Sequence, residues 1–386
     1  MLCAFFKLGL TSFGGPVAHL GYFRSEFVER RKWLDDKSYS DLVALCQFLP
    51  GPASSQVGMA LGLGRAGWWG ALAAWLGFTL PSAIALMWFA FGVLNWAGWV
   101  FSGVVHGLKV VAVAVVAQAV SGMAKSLCPD RLRAGIAVGA ALLVLMLPSA
   151  WAQLLAIGCG GLIAWRWLAW QHLPTVQHRS YGVGRTTGAI LLGLFALLLF
   201  ILPVLAGLAQ SQWVRVVADF YQAGSLVFGG GHVVLPMLQT TVVPAGSVSN
   251  DVFLAGYGAA QAVPGPLFTF AAFLGSAMPS PLGGWVGGTV LLLAIFLPSF
   301  LLVAGALPYW EDLRQRDGIQ RAMGGINAAV VGILGAALYD PVWTSAIHNK
   351  PDFALALAAY GLLVLGKLSP VVVVALTALV AGVWMS

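Results

Sequence analysis

Charged side chains are scarce. Lys, Arg, Asp and Glu make up 9% of the 386 residues, against 60% hydrophobic ones. A soluble domain carries about 25% charged residues. This chain cannot coat itself with polar surface, which points to an integral membrane protein. Carboxylates are the rarer charge, 13 against 20 Lys and Arg, and the sequence places no Asp or Glu deep in an apolar segment. The four cysteines (Cys3, Cys46, Cys128, Cys159) lie within or beside apolar segments and show neither disulfide nor metal spacing. No Walker-type phosphate loop, no His-Glu-x-x-His and no nucleophile with an adjacent base is found. Intrinsic ATP hydrolysis is thereby excluded, a membrane-embedded enzyme lacks its machinery, and no cofactor is called for. Period-two alternation is also missing, which argues against a β-barrel. The first apolar run carries a motif, so it is expected to be kept and not cleaved as a leader.

Long apolar runs are what the chain has. Leu191–Leu208 and Leu282–Leu307 are long enough to cross ~30 Å of hydrocarbon as helices. Sixteen Trp and 48 Gly suit interfacial belts and close helix packing in a lipid bilayer. The net charge of +7 sits in loops between apolar segments, so it is no nucleic-acid signal. Spans are predicted at roughly 70–92, 103–124, 134–148, 151–168 and 188–208. Two further segments, 5–23 and 42–63, are interrupted. Between them a charged stretch, Arg24 to Asp41, reads in part as a helix on the membrane surface.

The interruptions occur twice. Phe13-Gly14-Gly15-Pro16 and Gln47-Phe48-Leu49-Pro50-Gly51-Pro52 are answered by Phe228-Gly229-Gly230-Gly231 and Gln261-Ala262-Val263-Pro264-Gly265-Pro266, at offsets of 215 and 214. Leu80-Pro81-Ser82 and Gly107-Leu108-Lys109 are answered by Leu297-Pro298-Ser299 and Gly325-Ile326-Asn327, at 217 and 218. Landmarks in one order with slowly drifting offsets indicate an internal duplication. Residues 1–170 form the first repeat, 171–210 a basic cytoplasmic loop with a linking span, and 211–386 the second repeat.

Loop charges orient the two copies. The loop after the first break holds five Lys or Arg, and its counterpart, Gln239 to Asn250, holds none. The loop from Asn95 to Ser102 is uncharged, and its counterpart carries Arg314, Arg316 and Arg321. The positive-inside rule then has the copies facing opposite ways. Loops 24–41 and 125–133 are both basic, yet three apolar segments lie between them, so one of the three does not cross. The Pro-Gly-Pro segment is the best re-entrant candidate, since irregular backbone at membrane depth must be buried or line a cavity. The expected fold is an all-α polytopic membrane protein. It is an inverted repeat of two halves, each with two broken, re-entrant helical hairpins and about four spanning helices, joined by one extra span. That architecture is the mark of secondary transporters.

These residues resemble the chromate ion transporter family in its two-domain form. The resemblance rests on Phe13-Gly14-Gly15-Pro16 with His19, on Glu26, Arg30-Arg31 and Trp33-Leu34, on Gln47 to Pro52 with Gln56, and on the second-half counterparts. It implies a multi-pass protein of a bacterial or archaeal inner membrane that exports chromate, a sulfate analogue. Two departures stand out: the chain starts close to its first motif, and Gly231-His232 stands where the first copy has Pro16-Val17. A sulfate or other oxyanion importer or exchanger, and a homodimeric assembly, stay open.

The motifs suit an anion. Proline is favoured at the first turn of a helix, so Pro16 and Pro52 each start a half-helix whose free N–H groups and positive dipole end face the break. Ser54, Ser55 and Gln56 add donors, Thr269 takes the place of Ser55, Gly229, Gly230 and Gly231 offer a backbone nest, and Gln47 and Gln261 stand three residues before each first proline. The bland alternative is a set of kinks in packed helices. Helix ends supply about 0.3–1 kcal/mol each, up to ~2 when partly buried, whereas full desolvation of an ion costs tens. The site must therefore keep water or supply a cation. Lys109, inside an apolar span and matched by Asn327, is the candidate cation; equally, it snorkels to the interface. His19 and His232 are of the side-chain type whose charge changes near neutral pH, and both are candidates for coupling or for packing. Arg215 and Asp219, at i, i+4 spacing, read as an ion pair or a gate. Arg24, Arg30 and Arg31 either draw the anion in or only set topology, and Glu26 is spaced to pair with Arg30.

Overall fold

The computed structural model describes residues 1–12, 15–95, 99–147, 150–169, 181–209, 211–227, 234–310, 312 and 316–384. Among them there is no strand. The helices are α1 (Leu2–Thr11), α2 (Gly15–Phe23), α3 (Asp36–Phe48), α4 (Ala53–Asn95), α5 (Trp99–Leu127), α6 (Arg131–Met146), α7 (Ala150–Trp167) and α8 (Arg185–Ala209). They continue as α9 (Gln212–Leu226), α10 (Val234–Val242), α11 (Asn250–Ala262), α12 (Phe270–Ala277), α13 (Gly284–Ala306), α14 (Asp317–Ala337), α15 (Lys350–Val364) and α16 (Pro370–Trp384).

The helix order repeats. Helices α1 to α3 are answered by α9 to α11. Helix α4 leaves helical geometry at Ala66 and Gly67, which divides it into a short piece answered by α12 and a long one answered by α13. Helices α5 to α7 are answered by α14 to α16. Even the caps recur. Asp35 accepts from Ser38 N–H at the start of α3, and Ser249 accepts from Val252 N–H at the start of α11. Asp130 and Asn349 do the same for α6 and α15. An N-cap of this kind contributes typically ~1 kcal/mol.

Five helical segments are long and apolar enough to cross a membrane, among them Arg185–Ala209 and Gly284–Tyr309. They differ in depth: 78% of the apolar window in Gly284–Tyr309 is buried, against 6% in Arg185–Ala209. Helix α8, the link between halves, thus lies at the periphery, on α9 and α13. Inside each half the first helix packs on the proline-bearing one. A Cβ at Gly9 of α1 would approach Gly77 O to 2.6 Å, and one at Gly224 of α9 would collide with Ile295 O. Between halves the last three helices exchange partners. Helix α5 packs on α15 and α16, while α14 packs on α6 and α7.

Several sequence expectations change in detail. The charged stretch is not a separate surface helix: Arg24–Arg30 continues α2 in π geometry, and Phe27 is buried against Phe5 and Trp33. Helix α3 begins at Asp36, so Asp36 and Asp41 are helical. The second Pro-Gly-Pro leads first into a 3-10 turn, Leu267–Thr269. Helices α15 and α16 have 15 residues each, short of the ~20 that span the hydrocarbon upright. At the edge of an apolar segment, not deep in one, Asp352 in the first turn of α15 is buried, 1% exposed.

Candidate functional site

The breaks of the two halves meet. Gly51 N–H donates to the Val227 carbonyl at 2.6 Å, and Gly265 N–H donates to the Ser12 carbonyl at 2.9 Å. Val227 and Ser12 are the residues that end α9 and α1, one position before each Phe-Gly-Gly. Each Pro-Gly-Pro thus closes on the broken end of the other half. The glycines are required here. Gly51 and Gly265 have φ of +115° and +100°, a region that L side chains rarely adopt. A Cβ on Gly51 would also overlap Ser299 Oγ, and one on Gly265 would come within 2.9 Å of Ser82 Oγ. The serines follow Pro81 and Pro298, which interrupt the hydrogen-bond ladders of α4 and α13.

Polar groups collect around this crossing without partners. Among the described residues, Ser12 Oγ, Ser55 Oγ, Gln56 Oε1, Thr79 Oγ1, Gln261 Nε2 and Ser299 Oγ are buried and make no hydrogen bond. A buried unsatisfied polar group costs about 1–3 kcal/mol. Several at one crossing, in an otherwise apolar interior, make it the candidate site for a polar ligand or water. The backbone adds to them. The first bond of α4 runs from Gln56 N–H to the Pro52 carbonyl, so the N–H groups of Ala53, Ser54 and Ser55 have no partner within the helix.

The sequence candidates fall into groups. Gly15, Pro16, Pro50, Gly51, Pro52, Ser54, Ser55, Gln56, Gln261, Pro264, Gly265 and Pro266 lie on or beside the crossing segments. Gln56 Nε2 donates to the Pro50 carbonyl at 2.7 Å and ties its own break closed. Thr269 Oγ1 donates back to Pro266 O at 2.8 Å, so unlike Ser55 it has no hydroxyl hydrogen to spare. Gln47 is exposed. His19 is 1% exposed, with Nδ1 3.3 Å from Ser54 Oγ, its ring edge-on to Phe78, and a further hydrogen bond to the Ser12 backbone. It therefore stitches α1, α2 and α4 together at the crossing. Gly14, Gly229, Gly230, Gly231 and His232 lie outside the described residues.

Other candidates are elsewhere. Lys109 Nζ donates to Asp251 Oδ1 at 2.8 Å. Asp251 is in the first turn of α11, whose last residue, Ala262, precedes the second break. At 1.5 Å per residue this sets the ammonium roughly 15–20 Å from that break. Asn327 Oδ1 is buried without a partner on α14. Arg215 and Asp219 share α9 but close no ion pair among the described contacts, and Arg215 is exposed. Arg24 bonds Asp36 and Glu29, and Arg30 and Arg31 both bond Glu26. Burial pushes the Glu26 carboxyl up, but the hydrogen bonds from Arg31 and Arg30 outweigh it and hold the group below its usual range. These arginines are partly neutralised in place, which weakens any funnel for anions.

Sequence reasoning missed Ser12, Ser82 and Ser299 as site groups, although Ser82 and Ser299 stood in a repeated Leu-Pro-Ser. It also missed a 520 Å³ cavity beside α10, lined by Gln153, Gln239, Asn250 and Ser345 among others. There Gln239 Nε2 donates to Asn250 Oδ1, and Asn250 Nδ2 donates to Ser345 Oγ.

Known proteins share this pattern of sequence. The profile of the chromate transporter family matches residues 1–165 and 214–383, once in each half. The chromate transport protein of Pseudomonas aeruginosa is 29% identical over 93% of this chain and 84% of its own length. The probable chromate transport protein of Synechococcus elongatus is 29% identical over 98% and 93%, and the chromate transport protein of Cupriavidus metallidurans is 30% identical over 97% and 90%. No solved structure matches. A match that covers both halves and parts at the linking helix α8, on a chain of several apolar membrane helices, leaves one conclusion: this protein belongs to the chromate transporter family.

Proposed function

We propose that this protein is a secondary transporter that exports chromate from the cytoplasm across a bacterial inner membrane, by alternating access around an anion site at the crossing of the two breaks. It is a transporter and not an enzyme. Residues 1–170 and 211–386 act as inverted repeats, each with two re-entrant hairpins, joined by 171–210. The relatives named for chromate transport support the substrate class. The observation that carries the site is the reciprocal pair of bonds, Gly51 to Val227 and Gly265 to Ser12, set among unpartnered buried hydroxyls and amides. Two symmetric halves that close on each other's breaks can rock about that crossing without losing it.

The donors are neutral. Lys109 is committed to Asp251, so helix ends, Ser12, Ser55, Ser299 and Gln261 must hold the dianion with part of its water retained. The cavity beside α10 serves as the vestibule on the side of the uncharged loops. Everted vesicles containing the protein should accumulate chromate, and sulfate should compete. Absence of both would refute the proposal, and uptake of sulfate alone would move the substrate to that anion.

A further inference from the structure

Among the described residues one buried carboxylate stands outside the crossing. Asp352 is the third residue of α15, and its side chain does two jobs. Oδ2 accepts from His348 N–H at 2.9 Å, while Asn349 Oδ1 accepts from Asp352 N–H at 2.9 Å. These are the bonds of a helix N-terminus, and they use one oxygen. Oδ1 goes elsewhere: it lies 2.8 Å from Nε2 of His106 on α5, in the other half of the chain. The His348 ring lies parallel to that of His106, 6.5 Å away. A cap alone needs no partner 246 positions away, nor a carboxylate that is only 1% exposed.

Helix α5 makes further ties to the second half near this point. Gly103 and Gly107 let it press on α16, where a Cβ on Gly107 would come within 2.7 Å of Ala381. One turn beyond His106, Lys109 reaches Asp251. The repeat-related positions hold nothing comparable, because Gly324 stands for His106 and Arg133 for Asp352. Arg133 instead bonds its own cap, Asp130. The tie therefore exists at only one end of a duplicated molecule. The uncharged loop before α5 marks that end as the outer one.

We propose that His106 and Asp352 form a proton-binding site between the two halves, and that its occupancy controls opening of the outer end. With a second proton on the imidazole, so that both ring nitrogens carry one, the contact is an ion pair, neutral in sum. Without it, a buried carboxylate faces a neutral ring and the tie is weaker. Protonation from the outer side thus holds the outer end shut. The other titratable or charged groups on elements packed against α5 here are Asp251 and Tyr257 on α11, and Asp317 and Arg321 on α14. Tyr339 and Asp340 stand in the 338–343 turn, and His348, Lys350 and Tyr360 lie at or on α15. Helix α16 has none. Asp251 is occupied by Lys109, Asp340 accepts from Thr344, and His348 is the ring stacked on the pair.

The gating half of this proposal rests on the transporter reading; the proton site does not. Two measurements separate them. In detergent, with no substrate, the melting temperature of wild type should exceed that of His106→Gln by a gap that widens several degrees from pH 8 to pH 5.5. In proteoliposomes, wild-type chromate counterflow should change at least fivefold with outer pH, and His106→Gln should flatten this below twofold while counterflow persists. His106→Gln leaves the helix-capping bonds of Asp352 intact; Asp352→Asn should give the same flat profile. A gap that does not vary with pH overturns the site, whether or not wild type moves chromate. An unchanged outer-pH profile in both variants, or loss of counterflow in both while wild type is active, overturns the gate.

Discussion

Replacing Gly51 by Ala probes the crossing at its tightest point. The backbone there has φ of +115°, and forcing an L side chain into such a region costs about 1–3 kcal/mol. The new Cβ would overlap Ser299 Oγ and lie 2.9 Å from Gln56 Nε2, an overpacking cost of about 1–3 kcal/mol. If the loop yields instead, the bond from Gly51 N–H to Val227 stretches, and a hydrogen bond contributes about 0.5–1.5 kcal/mol. If the loop holds, strain and overlap together reach roughly 2–6 kcal/mol; if it yields, the loss is only the ~0.5–1.5 kcal/mol of that bond, and either route falls on the contact between halves. Since 1.4 kcal/mol is about a factor of ten, chromate accumulation by vesicles with matched protein content should drop at least tenfold if the loop holds and roughly two- to tenfold if it yields, and the melting temperature should fall in both cases. Gly265→Ala should behave alike. Adding Ser299→Ala to Gly51→Ala removes the overlap but not the backbone strain, so it should recover part of the loss. Gly21→Ala, where no atom lies within 4 Å of the new Cβ, should be neutral or stabilising by about 0.5–1 kcal/mol. Wild-type melting and transport in Gly51→Ala would refute the reading of this crossing.

Other substitutions separate binding from structure. Ser55→Ala removes a hydroxyl with no partner among the described residues, so chromate affinity should fall about tenfold with stability unchanged, the effect of one hydrogen bond to a charged group. Thr269→Val breaks the bond to Pro266 and should lower the melting temperature more than the affinity. Lys109→Gln removes an ion pair whose acidic partner is 70% exposed. It should change chromate affinity less than threefold, and abolished binding would return Lys109 to the site. Cysteines at Ser25 and Ala245, both exposed, should react with impermeant reagents from opposite sides of the membrane in a cysteine-free background; labelling from one side would refute inversion.

Much of this protein was legible along the chain. Scarce charge and long apolar runs specify a membrane protein, because solvation is a property of composition. Two sets of Gly-Pro breaks at nearly constant offset specify a repeated unit, and helix starts at Gly15 and Ala53 follow from proline's fixed φ and missing N–H. Glu26 finds Arg30 four residues on, as helical spacing requires. These are local facts, decided within a turn or two of helix. Pairings between halves are another matter. That Gly51 bonds to Val227, that Ser299 rather than Ser82 is left without a partner, that Lys109 spends its charge on Asp251, and that Asp352 is buried against His106 depend on which helices cross and where. No period or spacing encodes a contact across some 140 to 250 positions. The duplicated pattern set the two breaks into the chain; only the packing of one half on the other brought them together.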